Sequence, residues 1–170
     1  MISSPFDYAP EIDDNNPLDL VEELAEQKSW TVVRSDEELI VLSVQGLKMK
    51  YEICMEWQEE FSALLFACSL PIEITEKHYE TACKSLEQIN QNLWLGHFDM
   101  SNKNKHPTFR QTLLFRMIPS GVALDIIQDT VEIAIAEANR FSTTFQLIQA
   151  GDVRMQDDLS AAVFETVGEA

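Results

Sequence analysis

From position 48 to 57 apolar and polar side chains alternate without a break. Met49, Tyr51, Ile53, Met55 and Trp57 fall on one side, and Lys48, Lys50, Glu52, Cys54 and Glu56 on the other. Successive side chains of an extended chain point to opposite faces, so this stretch predicts a strand with one covered face. Two shorter strand-like runs precede it, 30–33 and 39–44. They are separated by the turn Ser35-Asp36-Glu37-Glu38, and the second ends at Gln45-Gly46. Gln58-Glu59-Glu60 then turns the chain. Residues 61–70 are apolar at both parities, the pattern of a central strand covered on both sides. A helix comes before all of these. Asn16 is placed to cap it, Pro17 to occupy its first position and Asp19 to face its positive end. Leu20, Val21, Leu24 and Ala25 form its apolar face and Glu22, Glu23 and Glu26 its wet one, with an end near Lys28–Ser29.

The second half changes period. Pro71 closes the central strand, and Thr75 reads as the N-cap of a helix, with Ile74 stapled onto Tyr79. Tyr79, Ala82, Cys83, Leu86, Ile89 and Leu93 keep the 3.6-residue spacing. The stretch Leu93, Trp94, Leu95, Gly96, His97, Phe98, Asp99 is then expected to hand the helix over to a strand. Gly96 supplies the sharp turn, and Trp94 is expected in the core. A polar hairpin loop over 101–107 leads into a strand over 108–117. Phe109, Gln111, Leu113, Phe115 and Met117 are on one face, and Arg110, Thr112, Leu114 and Arg116 on the other. Pro119-Ser120-Gly121 opens a third helix, from 121 to about 148. Its apolar residues include Leu124, Ile127, Val131, Ala134, Ala138, Phe141 and Phe145, and Ile126, Ile133 and Ile135 widen the surface beyond one stripe. A helix this broadly apolar packs against two neighbours or against a second subunit. Gly151 ends it. Met155, Leu159, Ala162, Val163 and Thr166 predict a short terminal helix closed by Gly168. Strands joined by tight turns with helices gathered over them make an α+β fold built on an antiparallel sheet.

Residues 1–16 break the pattern. Pro5, Pro10, Asn15, Asn16 and the acids Asp7, Glu11, Asp13 and Asp14 give no sustained period, so the expected division is a disordered acidic tail over 1–16 and one domain over 17–170. The tail's Ile2, Phe6, Tyr8 and Ile12 offer a possible docking motif, set against a merely solvated arm. The whole chain carries 12 Lys and Arg against 29 Asp and Glu, a formal charge of −17. Such a surface repels nucleic-acid phosphates and anionic leaflets, which argues against both as partners and leaves a basic protein as the natural charged one. The longest unbroken apolar run, 63–68, is far short of the roughly 20 residues a membrane span needs. The N-terminus lacks the basic and apolar regions of a signal peptide. Cys54, Cys68 and Cys83 show no C-x-x-C pairing, so reduced thiols and a cytoplasmic location are expected.

The chain offers little chemistry. It has no phosphate-binding loop, no G-x-G-x-x-G, no G-x-S-x-G and no H-E-x-x-H. His97 and Asp99 would share a strand face with His106 across the hairpin, a group that could make a 2-His-1-carboxylate site, but ordinary hairpin polar residues are the preferred reading. Cys83 lies on the apolar helical face and reads as a buried thiol; Cys54, on the polar strand face, reads as the exposed one. The clusters Glu22-Glu23-Glu26, Asp36-Glu37-Glu38 and Glu59-Glu60 read as solvated. Lys48 with Lys50, and Arg110 with Arg116, need acidic partners if their strand faces are covered. No catalytic, metal or cofactor residue is expected.

Several strings point to a family. Pro17-Leu-Asp-Leu-Val-Glu-Glu, Ile89-Asn90 with Leu93-Trp-Leu-Gly-His-Phe-Asp99, Phe109-Arg110, Phe145-Gln146 and the closing Glu165-Thr-Val-Gly-Glu-Ala170 resemble the YbjN family, and within it the alphaproteobacterial branch. The resemblance implies a fold like that of type III secretion chaperones, frequent dimers, and a label of sensory transduction regulator with no established catalytic residues. The chain departs from the family at Ser142-Thr143-Thr144, where the family tends to carry a proline, which leaves the continuity of the third helix open. The resulting expectation is a non-enzymatic, chaperone-like adaptor or regulator that binds a protein partner and forms a homodimer. The alternative is a small-molecule sensor with a pocket between sheet and helices.

Overall fold

The computed structural model describes residues 16–151. The expected tail over 1–16, Asn16 apart, and the expected terminal helix over 155–166 lie outside the described residues. The described elements are α1 (Pro17–Lys28), β1 (Thr31–Arg34), β2 (Leu39–Gln45), β3 (Lys50–Gln58), β4 (Ala63–Ser69), α2 (Tyr79–Asn90), β5 (His97–Met100), β6 (Pro107–Leu114) and α3 (Ser120–Ala150). The six strands form one antiparallel sheet in the order β1-β2-β3-β4-β6-β5. The α+β architecture expected from the patterning is the one observed.

The inner face of the sheet is a continuous apolar layer. Leu42, Ile53, Cys68, Phe109 and Phe98 lie in one row across five strands, and Ile40, Met55 and Phe66 in the next. All eight are buried. Residues of all three helices join them in a single cluster, among them Leu18, Val21 and Leu24 of α1, Leu86 and Ile89 of α2, and Val131, Phe141 and Phe145 of α3. None of the described helices lies over the opposite face. Leu39, Val41, Cys54, Leu65 and Ala67 there are only half-buried, and Val33 and Leu114 are exposed. Among the described residues this corrects the reading of residues 61–70: β4 is central, but the described helices cover it on one side only. A strand in the middle of a two-layer fold is shielded on its outer face by its neighbours' side chains alone, and its both-sided apolar pattern does not reveal this.

Three further details differ from the patterning. Residues 76–78 form a 3-10 turn before α2, so the helix begins at Tyr79 rather than just after Thr75. β6 ends at Leu114, because Met117 takes a left-handed backbone conformation (φ 61°) and breaks the strand. α3 runs unbroken through Ser142-Thr143-Thr144 for 31 residues. Ser142 returns its hydroxyl hydrogen to Asn139 O (2.8 Å) and so needs no outside partner. α3 packs against both α1 and α2, which accounts for its wide apolar surface within one chain.

The free edge of β5 is closed by a side chain. Asn90, the last residue of α2, donates from Nδ2 to Phe98 O (2.9 Å) and accepts at Oδ1 from Phe98 N (2.7 Å). One amide thus copies the hydrogen bonding of a neighbouring strand, and the edge loses a place where another chain would pair. Asn90→Ala strips both partners from a part-buried backbone. We expect it to cost about 1–3 kcal/mol, measured as a shift of the urea midpoint. A loss of only a few tenths of that would show that water replaces the amide at no penalty.

Candidate functional site

The stretch 93–99 is a structural joint. Gly96 holds φ at +66°, His97 is exposed at the start of β5, Phe98 enters the core, and Leu93 and Leu95 are half-buried. Trp94 is 75% exposed. Its expected place in the core is therefore wrong. Trp94 lies in the bend between α2 and β5, outside both periods, and the aromatic ring that enters the core is that of Phe98. His97 and Asp99 do share the outer sheet face, since they stand opposite Arg110 and Thr108. The partner of Asp99 is Arg110, whose Nε donates to Oδ2 at 2.8 Å. His106 lies just before Pro107, which faces Met100 at the far end of β5. Among the described residues no three His, Cys, Asp or Glu side chains come close enough to hold a metal. Of the other paired cations, Lys48 donates to Thr143 Oγ1 (2.7 Å).

The thiols are distributed differently from the expectation. Cys83 is exposed, Cys54 half-buried and Cys68 buried. α2 is covered only along Ala82, Ser85, Leu86 and Ile89, and Cys83 lies off that stripe. Burial pushes the Cys68 thiol up to about 12. Burial first, then the carboxylates of Glu56 and Glu52, raises Cys54. Because the thiolate is the reacting species, alkylation of the native protein should label Cys83 first and Cys54 more slowly. Cys68 should react only after unfolding. Peptide mapping of a time course checks the order, and early labelling of Cys68 would contradict it.

A concavity among the described residues lies elsewhere, where four separated stretches of chain meet. It encloses about 740 Å³ and is lined by the start of α1 (Asn16, Pro17, Leu20), the β1–β2 turn (Glu37, Glu38), the end of β3 and the β3–β4 connection (Trp57, Glu59, Ser62) and the β6–α3 connection with the first turn of α3 (Phe115 to Ile118, Ser120, Ala123). The Trp57 and Phe115 rings pack with centroids 6.5 Å apart, and Phe115 N donates to Ser62 O (2.8 Å), tying two of the walls together. The α1 wall is held by Arg34. Its Nη1 reaches Asp19 Oδ1 (2.6 Å) and Glu22 Oε2 (2.7 Å), and its Nη2 reaches Glu37 Oε2 (3.1 Å). The bonds to Asp19 and then Glu22 hold the guanidinium above its ordinary value. Asn16 both caps α1, accepting from Leu18 N (2.9 Å), and donates to Glu37 O (2.6 Å).

Among the described residues, two of the four non-glycine residues with positive φ line this groove, Ser62 (φ 49°) and Met117 (φ 61°). Left-handed backbone costs an L-residue roughly 1–2 kcal/mol. Met117 nevertheless holds this conformation and leaves its side chain 68% exposed. Phe61 and Leu114, chain neighbours of two lining residues, are exposed as well. Strain kept at an exposed apolar residue is characteristic of ligand clamps and recognition sites. The patterning missed the groove: it placed Trp57, Phe115 and Met117 on strand faces and read Glu37, Glu38 and Glu59 as solvated turns. A second, smaller concavity of about 350 Å³ lies between Lys50, Glu52, Pro71 and His106.

The profile of the YbjN family, described as "Putative bacterial sensory transduction regulator", matches residues 17–147. The chain belongs to the YbjN family. That match takes in every element described above but the last three residues of α3, and all the residues that line the groove except Asn16. A solved structure titled "Crystal structure of YbjN, a putative transcription regulator from E. coli" is similar at 15% identity and a TM-score of 0.48, covering 74% of this chain and 93% of that one. No curated protein matches. No helix among the described residues of this YbjN chain is long and apolar enough to cross a membrane.

Proposed function

We propose that this YbjN-family chain is a non-enzymatic, chaperone-like adaptor or regulator that binds a segment of another protein in the groove between the starts of α1 and α3. The observation that carries this reading is Met117: a large apolar side chain, exposed on left-handed backbone, lining the same groove as the packed rings of Trp57 and Phe115. The lining holds carboxylates, one guanidinium and hydroxyls, with no histidine or cysteine to act as base or nucleophile. The test is a photo-crosslinking side chain placed at Met117 in the native cell, with the exposed Val33 on the outer sheet face as control. A protein adduct formed from position 117 and not from 33 supports the reading, and no adduct from 117 counts against it. The groove volume also lies within the range of small-molecule sites, about 300–1,000 Å³, which favours the sensor as second reading. Native mass spectrometry would then show a low-mass compound that Met117→Asn releases.

The reading includes a cytoplasmic homodimer. Three unpaired cysteines support the compartment. The sheet face that no described helix covers, with Val33, Leu39, Val41, Leu65 and Leu114, supplies apolar area for pairing. Light scattering should give twice the 19.4 kDa chain mass. The single-chain mass at tens of micromolar would remove the dimer from the proposal.

A further inference from the structure

We infer that the segment taken up by the groove is basic, with one or two large apolar side chains flanked by lysine or arginine; this rests on the adaptor reading of the same site. The apolar part follows from the lining, where Leu20, Trp57, Phe115, Met117 and Ile118 offer a surface whose one side-chain hydrogen-bonding group is the Trp57 indole N–H. The charge follows from the rim. Glu37, Glu38 and Glu59 line the groove, and Asp19 and Glu22 stand beside it on Arg34. Against these five carboxylates there are two guanidiniums, Arg34 and Arg116. Arg34 is already shared by three of the five.

The positive ends of α1 and α3 also open here and would favour an acidic occupant. They do not outweigh the rim. Asn16 and Asp19 already serve the first turn of α1, and a helix end amounts to only about half an elementary charge. The rim therefore stays negative by more than one charge, within a chain whose formal charge is −17. The same balance argues against the chain's own first fifteen residues as the occupant: they bring Asp7, Glu11, Asp13 and Asp14 and no lysine or arginine. A basic segment gains from the rim at contact and from the whole field on approach.

Selection of a random peptide display library against the full chain tests the inference, with Met117→Asn and the double variant Glu38→Gln/Glu59→Gln as counter-screens. Asparagine tolerates left-handed backbone better than methionine, so Met117→Asn removes the apolar side chain without loss of fold, which a melting curve verifies. The expected result is a set of sequences with Lys or Arg around Leu, Phe or Trp. Their affinity should fall about tenfold or more on Met117→Asn and several-fold on the double variant. It should also weaken several-fold as added salt shortens the reach of the rim charges. Selected sequences without net positive charge that still depend on Met117 would overturn the basic chemistry and leave the groove standing. Sequences indifferent to Met117→Asn, a set resembling residues 1–15, or no enrichment at all would overturn the inference, and indifference to Met117 would overturn the adaptor reading with it.

Discussion

Gly96→Val should leave the protein without a cooperative unfolding transition at room temperature, and Gly96→Ala should come close to the same result. Two costs coincide at this position. The backbone is left-handed (φ +66°), which costs a β-branched residue roughly 1–3 kcal/mol. In addition, any Cβ built on Gly96 runs into the ring of Phe109 and stands 2.8 Å from the Arg110 carbonyl oxygen. Neither neighbour can yield. Arg110 O belongs to β6, and Phe109 is fully buried with its ring edge-on to Phe98 at 5.5 Å. The sum passes the roughly 4 kcal/mol that marks an exceptional single-site lesion. Circular dichroism during thermal melting reads it. Alanine is the sharper test, since its methyl group alone meets the obstacle; a Gly96→Ala protein within about 1 kcal/mol of the parent would show that the joint is not built as described. Two residues earlier the outcome reverses. Trp94→Ala removes an exposed indole and should change stability by no more than about 0.5 kcal/mol.

Phe98→Ala is the second large effect, a loss of about 3–5 kcal/mol. Phe98 is the point where the sheet and the long helix meet. Its ring lies edge-on to Phe109 (5.5 Å) and to Phe141 (5.9 Å), and tilted against Phe145 (6.0 Å). Truncation removes three aromatic contacts, each worth about 0.5–1.5 kcal/mol beyond the apolar area, and opens a cavity between a β-sheet and a helix that cannot easily close. Domains of this size are stable by about 5–15 kcal/mol in total, so the variant should unfold at a much lower denaturant concentration. A shift equivalent to under about 1 kcal/mol would mean that α3 slides in to fill the space, and the packing of α3 on the sheet would then be looser than these distances indicate.

Gly96, Phe98 and Asn90 all lie in or beside the string that carried the family resemblance, and each now has a physical role: reversing the chain, filling the core and closing the sheet edge. The role of Gly96 was readable beforehand, because a glycine between a helical and a strand period has few other uses. The role of Asn90 was not. An asparagine at the end of a helix reads as a cap, and only the fold brings β5 within reach of its amide.

By itself the sequence determined the kind and order of the elements, the antiparallel pairing and which face of β3 and β6 turns inward. These are consequences of side-chain period, and period is local: alternate residues of a strand must face opposite ways whatever surrounds them. It also determined the acidic character that shapes every reading of the partner. Tertiary structure alone decided how many layers cover the sheet, and so whether the outer apolar residues of β4, the thiol of Cys83 and the indole of Trp94 are buried. An apolar residue states only that burial would be favourable, while the supply of covering elements decides whether it happens. The groove was decided at that level too. Its walls come from stretches around positions 16–20, 37–38, 57–62 and 115–123, each ordinary within its own neighbourhood. Their apolar and acidic side chains become a site only when the sheet order and the packing of α1 against α3 bring the four stretches to one end of the molecule.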